Sequence, residues 1–365
     1  MRSAALAFTV FVFAQLSVSG QTRPAPVVTT VADGVILFET APYGDVGLDG
    51  NAVAIIGRDA VLVFDSNGTP AASAAVLAGI RARTDRPVRY VVNSHWHWDH
   101  WYGTETYMAA FPNVHVIAHE KTRVLMMGPA LEFNRPGLER DLPGYLDALS
   151  KRVEVARAAP SPPADLPALE ARLTADRAFL DQKRSVHHVF PDVTFTDRMT
   201  IDLGDRSVDV RNSGRGVTPG DAYLYLPAER ILITGDLLIN PVTFALGCYP
   251  SEWVRVLERL DALDAAVIVP GHGAPLRDKT LLRNTLAVLR RLIDEGRQAK
   301  ARGLDADAAK DEIFPKLRDL MIAITGDDAA RNAAFKVQLV DWFLHRVFDE
   351  ADGSLTDAIA PIPRA

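Results

Sequence analysis

The segment Ser94-His95-Trp96-His97-Trp98-Asp99-His100 places three imidazoles and one carboxylate within six residues. It directly follows Pro87-Val-Arg-Tyr-Val-Val-Asn93, an apolar run that predicts a buried strand. At the end of an extended strand, His95 and His97 point the same way, while Asp99 and His100 turn toward a second position. Neutral imidazole and carboxylate oxygen are ligands of zinc and related ions. A surface or packing role would need three separate unusual placements, so the segment predicts a metal site.

Two later segments each place another possible ligand directly after an apolar strand. Ile231-Leu-Ile-Thr-Gly235-Asp236 ends in a carboxylate, and Val267-Ile-Val-Pro-Gly271-His272-Gly273 ends in an imidazole before a glycine. Turn chemistry alone could explain such residues at strand exits. Together with the histidine cluster, however, Asp236 and His272 are predicted to complete the metal site.

The sequence around these segments alternates strands with helices. Residues 27–65 contain short β-branched runs separated by turn residues, which indicate strands joined by hairpins. A helix is predicted over 70–84. A second β-rich stretch over 193–238 has the same order of strands followed by a helix. Its predicted strands cover 207–211, 222–226 and 230–234, with a helix at 251–263 and a strand at 266–270.

Helical patterns dominate two further regions. Between the two β-rich stretches, residues at about 129–186 have helical spacing, with Asp165 as a candidate cap, and prolines at 160–163 divide this insertion into two pieces. After His272, a second amphipathic pattern predicts a helix, and the chain to about residue 350 is predicted to be helical too. The apolar positions of that helix are Leu282, Leu286, Leu289 and Ile293.

Composition limits the classes of partner. The 365 residues are 48% hydrophobic and 24% charged, which is ordinary for one large or two modest globular domains. The net charge of −6 comes from interspersed residues and provides no basic surface for nucleic acid or an anionic membrane. A small-molecule substrate is therefore the expected partner. Periodicity leaves the oligomeric state open, because the C-terminal helices could cover this chain or another subunit.

The first residues have the layout of a secretory signal peptide. Arg2 precedes an apolar stretch at 4–16, and small polar residues follow up to Gly20. We expect a signal peptide at 1–20 with cleavage near Gly20, a periplasmic or secreted protein, and no membrane association after cleavage. The stretch is shorter than the roughly 20 residues of a transmembrane helix. Cys248 is the only cysteine, so no disulfide can form within the chain, and its apolar neighbours predict a quiet, half-buried thiol.

These motifs carry a resemblance to a known family. The chain resembles the metallo-β-lactamase superfamily over about residues 28–280, in the run His95-x-His97-x-Asp99-His100, in Thr218-Pro219-Gly220-Asp221, in Gly235-Asp236 and in Pro270-Gly271-His272-Gly273. The resemblance implies an α/β fold, an αββα sandwich of two face-to-face sheets with helices outside. We expect this domain over 27–280, with the helical insertion at about 129–186, followed by a C-terminal helical extension over 281–350.

The resemblance also implies a role for each candidate ligand. His95 and His97 would bind a first metal, Asp99, His100 and His272 a second, and Asp236 would bridge both. One position departs from the family pattern, because Val217 stands where members usually carry a third first-site histidine. We expect one or two zinc ions, with the set Asp99, His100, Asp236 and His272 the more secure. His119, His187 and His188 are candidates to replace this ligand of the first site, although each also has an ordinary structural or surface interpretation.

The expected activity is that of an exported zinc-dependent hydrolase. A zinc-bound hydroxide would attack an amide, ester or lactone, with β-lactams a possible subset, and Asp99 would orient the nucleophile or transfer a proton. Trp98 and Tyr249 are weak candidates for substrate contact, since packing explains such aromatic residues as well. Thr218, Gly220 and Asp221 are expected to hold the site loop, and Asp65 to support the site from another strand end.

Three alternatives compete with this interpretation. The first is a non-catalytic metal-binding or partner-binding protein of the same fold, which is compatible with valine at position 217 in place of a metal-binding histidine. A phosphodiesterase ranks lower, because Arg215 and Lys121 are the only basic side chains placed to assist. An iron-dependent sulfur dioxygenase ranks lower too, because the resemblance implies that its iron uses the histidine replaced by Val217.

Overall fold

The first seven strands of the chain form one large sheet. The computed structural model describes residues 24–44 and 46–360, so the signal peptide expected at 1–20 lies outside the described residues. Within them, β1 to β4 form an antiparallel meander, and β5, β6 and β7 then add in parallel. The strands of this first sheet are β1 (Val27–Ala32), β2 (Val35–Glu39), β3 (Ala52–Ile56), β4 (Val61–Phe64), β5 (Val88–Val92), β6 (His115–His119) and β7 (Val193–Phe195).

The second sheet comes from the later β-rich stretch. Its spatial order is β12-β11-β10-β9-β8. Neighbours from β8 to β11 are antiparallel, and β12 pairs in parallel with β11. The strands are β8 (Arg198–Asp202), β9 (Ser207–Arg211), β10 (Tyr223–Leu226), β11 (Ile231–Ile233) and β12 (Val267–Val269).

Helices cover the outer faces of both sheets and fill the insertion. Two stretches are π-helical, at Gly137–Asp141 and Phe335–Asp341. The α-helices are α1 (Pro70–Arg81), α2 (Thr104–Ala110), α3 (Glu120–Met126), α4 (Pro129–Pro136), α5 (Leu142–Ala158), α6 (Leu166–Arg184), α7 (Pro250–Ala262), α8 (Thr280–Ala301), α9 (Ala306–Ile313), α10 (Arg318–Thr325), α11 (Ala329–Ala334) and α12 (Trp342–Ala351).

The period-two alternation of the strands explains the layering. Val35 and Leu37 of β2 pack into the core between the sheets, whereas Ile36 and Phe38 face the layer under α1 and α2. The outer face of the second sheet packs against α7, α8 and the C-terminal helices. Each fully buried large apolar side chain contributes roughly 1.5–3 kcal/mol by leaving water. The αββα sandwich expected from the sequence is confirmed.

The inserted helices pack against one another beside the sandwich. Leu149 and Val153 of α5 and Leu173 of α6 share an apolar cluster with Tyr43 from the loop after β2. Asp165 occupies the position before α6, but its side chain makes no capping hydrogen bond. Its backbone, at φ −87° and ψ 0°, lacks the extended conformation that directs a capping side chain back to the helix. The expected cap is therefore wrong.

Two further findings complete the fold. In the described residues, no helix is long and apolar enough to span a membrane. Cys248 is fully buried rather than half-buried, because the loop before α7 lies inside the core formed by the second sheet and the C-terminal helices. Burial raises the pKa of its thiol, so the expectation of an unreactive cysteine is compatible with its surroundings.

Candidate metal centre

The candidate ligands lie at the carboxyl ends of parallel strands. The motif from His95 to His100 follows β5, Asp236 follows β11 and His272 follows β12. Parallel strands end at the same edge of a sheet, and loops at such edges are where ligands bind in α/β folds. The short 3₁₀ turns Trp98–His100 and Gly235–Leu237 turn the chain sharply after each strand. Gly235 permits the second turn with φ +53°, a left-handed conformation that side chains rarely adopt.

The six predicted ligands converge into two adjoining groups. The first contains His95, His97 and Asp236, and the second contains Asp99, His100 and His272; within each group the ligand atoms lie within 4.8 Å of one another. The carboxylate of Asp236 faces both groups. Its Oδ2 is 3.6 Å from His95 Nε2 and 4.0 Å from His97 Nδ1, and its Oδ1 is 3.3 Å from His100 Nε2 and 3.5 Å from His272 Nε2.

Unpartnered buried atoms show that these residues fit a metal ion. In the described part of the chain, His95 Nε2, His100 Nε2 and Asp236 Oδ1 are buried and have no hydrogen-bond partner. A buried polar atom without a partner costs about 1–3 kcal/mol. Here the unpartnered atoms face one another across a space lined by imidazole nitrogens and carboxylate oxygens. That donor set is one that zinc binds.

Asp65 and Ser94 orient one histidine of each group. Ser94 N and Ser94 Oγ donate to Asp65 at 2.7 and 2.8 Å. His100 Nδ1 lies 2.8 Å from Asp65 Oδ2, and His95 Nδ1 lies 2.8 Å from Ser94 Oγ. A carboxylate only accepts, so His100 donates from Nδ1, and its Nε2 is the ring nitrogen turned toward the metal position. Asp65 therefore supports the site, as its position at the end of β4 suggested.

The charges of the site oppose the effect of burial on the pKa of its two carboxylates. Burial alone would raise the pKa of Asp236, but His100 and His272 hold it well below its usual range. The same two histidines overcome burial at Asp99, whose pKa is also well below its usual range. Burial, together with His100 and His97, lowers the pKa of His95, so this imidazole is neutral. Neutral imidazoles and ionised carboxylates are the forms that bind metals.

The loop at Val217 provides no third imidazole. Asp221 accepts from Gly216 N, Thr218 N and Thr218 Oγ1 at 2.7–3.1 Å and holds the loop, as the sequence predicted. Val217 is 1% exposed and packs in the core behind the second sheet.

The three replacement histidines lie elsewhere in the described structure. His119 caps α3, accepting from Lys121 N, and its ring contacts Phe195. His187 is exposed and pairs with Glu105, and His188 packs edge-on against Tyr102. None belongs to either group of possible ligands.

Comparison with known proteins identifies the family. A family model described as the metallo-beta-lactamase superfamily matches residues 45–272. The chain belongs to the metallo-β-lactamase superfamily. Members of this superfamily are generally hydrolytic metalloenzymes, and the grouped histidines and aspartates here could hold a metal.

The individual proteins similar to this chain are distant relatives within the metallo-β-lactamase superfamily. It is 22% identical over 277 residues to a linear primary-alkylsulfatase of Pseudomonas sp. (strain ATCC 19151), an alignment covering 71% of this chain and 48% of that protein. The chain thus spans about half the length of this curated relative. A metallo-β-lactamase from Pontibacter korlensis is 20% identical with a TM-score of 0.51, covering 73% of this chain and 99% of that one. DIM-1 metallo-β-lactamase is 16% identical with a TM-score of 0.50, covering 73% and 98%. At these identities, the structural likeness shows the metallo-β-lactamase fold alone.

The aromatic residues near the metallo-β-lactamase motif divide into core and rim. Trp101 is fully buried, and its indole N–H donates to Trp96 O. Tyr249 is 1% exposed and donates its hydroxyl to Thr356 O. This residue, a weak candidate for substrate contact, therefore already has a hydrogen-bond partner within the chain. Trp98 is half-buried. Phe244 lies edge-on to His97, with ring centroids 5.7 Å apart.

Basic side chains near the site differ from those singled out in the sequence. Arg215 and Lys121 both pair with Asp357 from the C-terminal segment, at 3.0 and 2.8 Å. Lys183 of α6 instead lies over the ring of Trp98. The sequence does not indicate this lysine, because nothing in the pattern of a polar helix shows that the helix packs onto a motif more than eighty residues earlier.

Proposed function

We propose that the protein is a zinc-dependent hydrolase that cleaves an ester, amide or lactone bond, with β-lactams as possible substrates. The observation that carries this proposal is the convergence of two ligand groups on the shared carboxylate of Asp236, with unpartnered buried atoms facing between them. Structural packing does not account for such a cluster, because buried polar atoms are normally paired.

The residues around the centre suit hydrolysis. When bound, zinc supplies a Lewis acid and lowers the pKa of water to about 7. Asp99 Oδ2 lies 3.2 Å from His272 Nε2 and 3.4 Å from His100 Nε2. The pKa of Asp99 is held low by these partners, so its carboxylate is ionised and can orient a nucleophilic water by accepting a hydrogen bond from it. Asp65 accepts a hydrogen bond from His100 Nδ1 and so keeps Nε2 of that ring directed at the centre.

A sulfate ester is the second candidate substrate. It is favoured by the similarity to a linear primary-alkylsulfatase, which extends over 71% of this chain. A phosphodiester is less well supported, because Arg215 already pairs with Glu252 and Lys121 with Asp357. The oxidative alternative lacks support as well, since the position of the third histidine is occupied by buried Val217.

We also propose that the protein is exported to the periplasm or secreted. The support is the sequence pattern of residues 1–20 alone. Expression of the full chain in a Gram-negative host, followed by fractionation and N-terminal sequencing, tests this. A mature end near Gln21 in the periplasmic or secreted fraction supports export, whereas an intact N-terminus in the cytoplasm contradicts it.

The test of hydrolysis combines metal content with turnover. Purified protein is assayed for bound metals and for turnover of five reporters: a β-lactam, a carboxylic ester, a lactone, an alkyl sulfate and a phosphodiester. We expect zinc in the protein and turnover of at least one reporter. Asp236→Asn should lose both metal and turnover, whereas Asp33→Asn, an exposed aspartate on a turn, should keep both. Bound metal without turnover of any reporter would instead favour a metal-binding protein.

A further inference from the structure

A lysine from the insertion reaches the metal-binding motif. Lys183 is half-buried in the last turn of α6. Its Nζ lies 3.3 Å from the ring centroid of Trp98, 4.4 Å from that of Tyr102 and 5.9 Å from that of Phe179. Trp98 stands between His97 and Asp99, which belong to the two ligand groups. The amine therefore lies beside the candidate centre, within a frame of three aromatic rings.

This amine has no carboxylate partner of its own. Among the described residues, the contacts of Lys183 Nζ are ring faces, and no ion pair or hydrogen bond satisfies it. By contrast, Lys310 pairs with Asp307 and Asp341, both at 3.0 Å. Buried lysines without partners are rare, because removing an ammonium from water is costly. The ring faces offset only part of that cost.

Burial and the neighbouring carboxylates act in opposite directions on the charge of this amine. Burial lowers the pKa of Lys183 well below its usual range, against the opposing charges of Asp99 and Asp49. An oxyanion placed at Nζ would supply the missing partner and stabilise the charged form. A charge-assisted hydrogen bond in such a partly dry site is stronger than one in water.

We propose that Lys183 forms an anion subsite beside the metal centre, and that the substrate carries an oxyanion, a carboxylate or a sulfate group. This inference rests on the proposed hydrolytic function and narrows its substrate class. Trp98 and Tyr102 hold the amine in place, so the subsite depends on the insertion packing against the motif. The competing explanation is that Lys183 merely clamps α6 onto Trp98.

A binding experiment separates these two explanations without requiring turnover. Hexane-1-sulfonate and 1-hexanol share an alkyl chain and differ in charge, and neither is hydrolysed. Their affinities for the metal-loaded protein are measured by calorimetry, with tryptophan fluorescence as a second signal. The variants are Lys183→Met, Lys183→Arg and, as a matched control, Lys151→Met, which changes an exposed lysine of α5.

We expect the native protein to bind the sulfonate about tenfold to a hundredfold more tightly than the alcohol, the range of one charge-assisted hydrogen bond. Lys183→Met should lose that preference while its affinity for the alcohol stays within about twofold. Lys183→Arg should retain most of the preference, and Lys151→Met should behave as the native protein.

Three results would overturn the subsite. The first is a native preference for the sulfonate that Lys183→Met leaves unchanged, and the second is no native preference at all. The third is a Lys183→Met protein that binds both probes equally poorly and unfolds at a lower temperature, which would show a structural clamp. Charge-selective binding through Lys183 without turnover of any reporter would contradict the hydrolase and leave the subsite standing. If the protein turns over a reporter but Lys183→Met binds the sulfonate as tightly as the native protein does, the subsite is contradicted and the proposed hydrolase is not.

Discussion

Replacing Asp65 with asparagine tests how the site is held together. Asp65 is 1% exposed and accepts from Ser94 N, Ser94 Oγ and His100 Nδ1. Asparagine is nearly isosteric and tolerates the left-handed backbone of this position, at φ 60°. Its amide nitrogen, however, is a donor where the carboxylate oxygen accepted. With that nitrogen toward His100, Nδ1 would have to accept, which moves the ring proton to Nε2, the atom that faces the metal position. With the amide reversed, the nitrogen would face the donor Ser94 N and that hydrogen bond would be lost instead.

The magnitude follows from the bond that is lost. One hydrogen bond to a charged group contributes about 1.5–3 kcal/mol, and removing such a supporting partner costs about 10–100-fold in metal affinity. The two figures agree, because tenfold corresponds to about 1.4 kcal/mol. We therefore expect Asp65→Asn to bind zinc about 10–100-fold more weakly, with a proportionate loss of turnover.

The assay is competition for zinc against a fluorescent chelator. Asp33→Asn, an exposed control, should match the native protein. Thermal unfolding of the metal-free proteins checks that Asp65→Asn remains folded. A folded Asp65→Asn protein with native zinc affinity would refute the view that Asp65 sets the tautomer of His100.

Three further predictions concern the surroundings of the centre. Val217→His should raise the metal content from one to two ions per chain by elemental analysis, at an overpacking cost of about 1–3 kcal/mol; two tightly held ions in the native chain would contradict it. Burial raises the pKa of Asp221 from 3.8 to about 7, so its contribution to stability is present below about pH 4 and lost as the pH rises through 7. Denaturant unfolding of the metal-free proteins should therefore show Asp221→Asn gaining stability relative to the native chain between those pH values, and a constant difference would refute it. Tyr249→Phe should cost about 0.5–1.5 kcal/mol of unfolding free energy through the lost bond to Thr356 O and leave KM unchanged, whereas a raised KM at native stability would assign Tyr249 to the substrate.

The sequence predicted most elements because their burial follows regular periods. The amphipathic spacing predicted α8, whose Leu282, Leu286 and Leu289 are buried. The strand before the motif ends at Val92, one residue before Asn93. Periodicity did not predict β6, because His115 and His119 at its ends break the apolar pattern. Nor did it predict the π-helical stretches, which depend on how successive helices pack.

The sequence could predict only those site residues that lie just after the end of a strand. Asp236 and His272 could be anticipated, since each lies three residues after the end of a short apolar strand. Lys183 could not, because its place over Trp98 depends on the folding of α4 to α6 and on no local pattern. The same holds for Asp357, which reaches Arg215 and Lys121 only after the C-terminal segment has packed.

The two ligand groups differ in how firmly the chain supports them. In the second group, His100 is fixed directly by buried Asp65. In the first group, His95 is supported only through Ser94, and Nε2 of His97 has no partner among the described residues. Metal affinity depends on such supporting bonds as well as on ligand count. The first group lacks both a third imidazole and direct carboxylate support, so a limiting supply of zinc should fill the second group first.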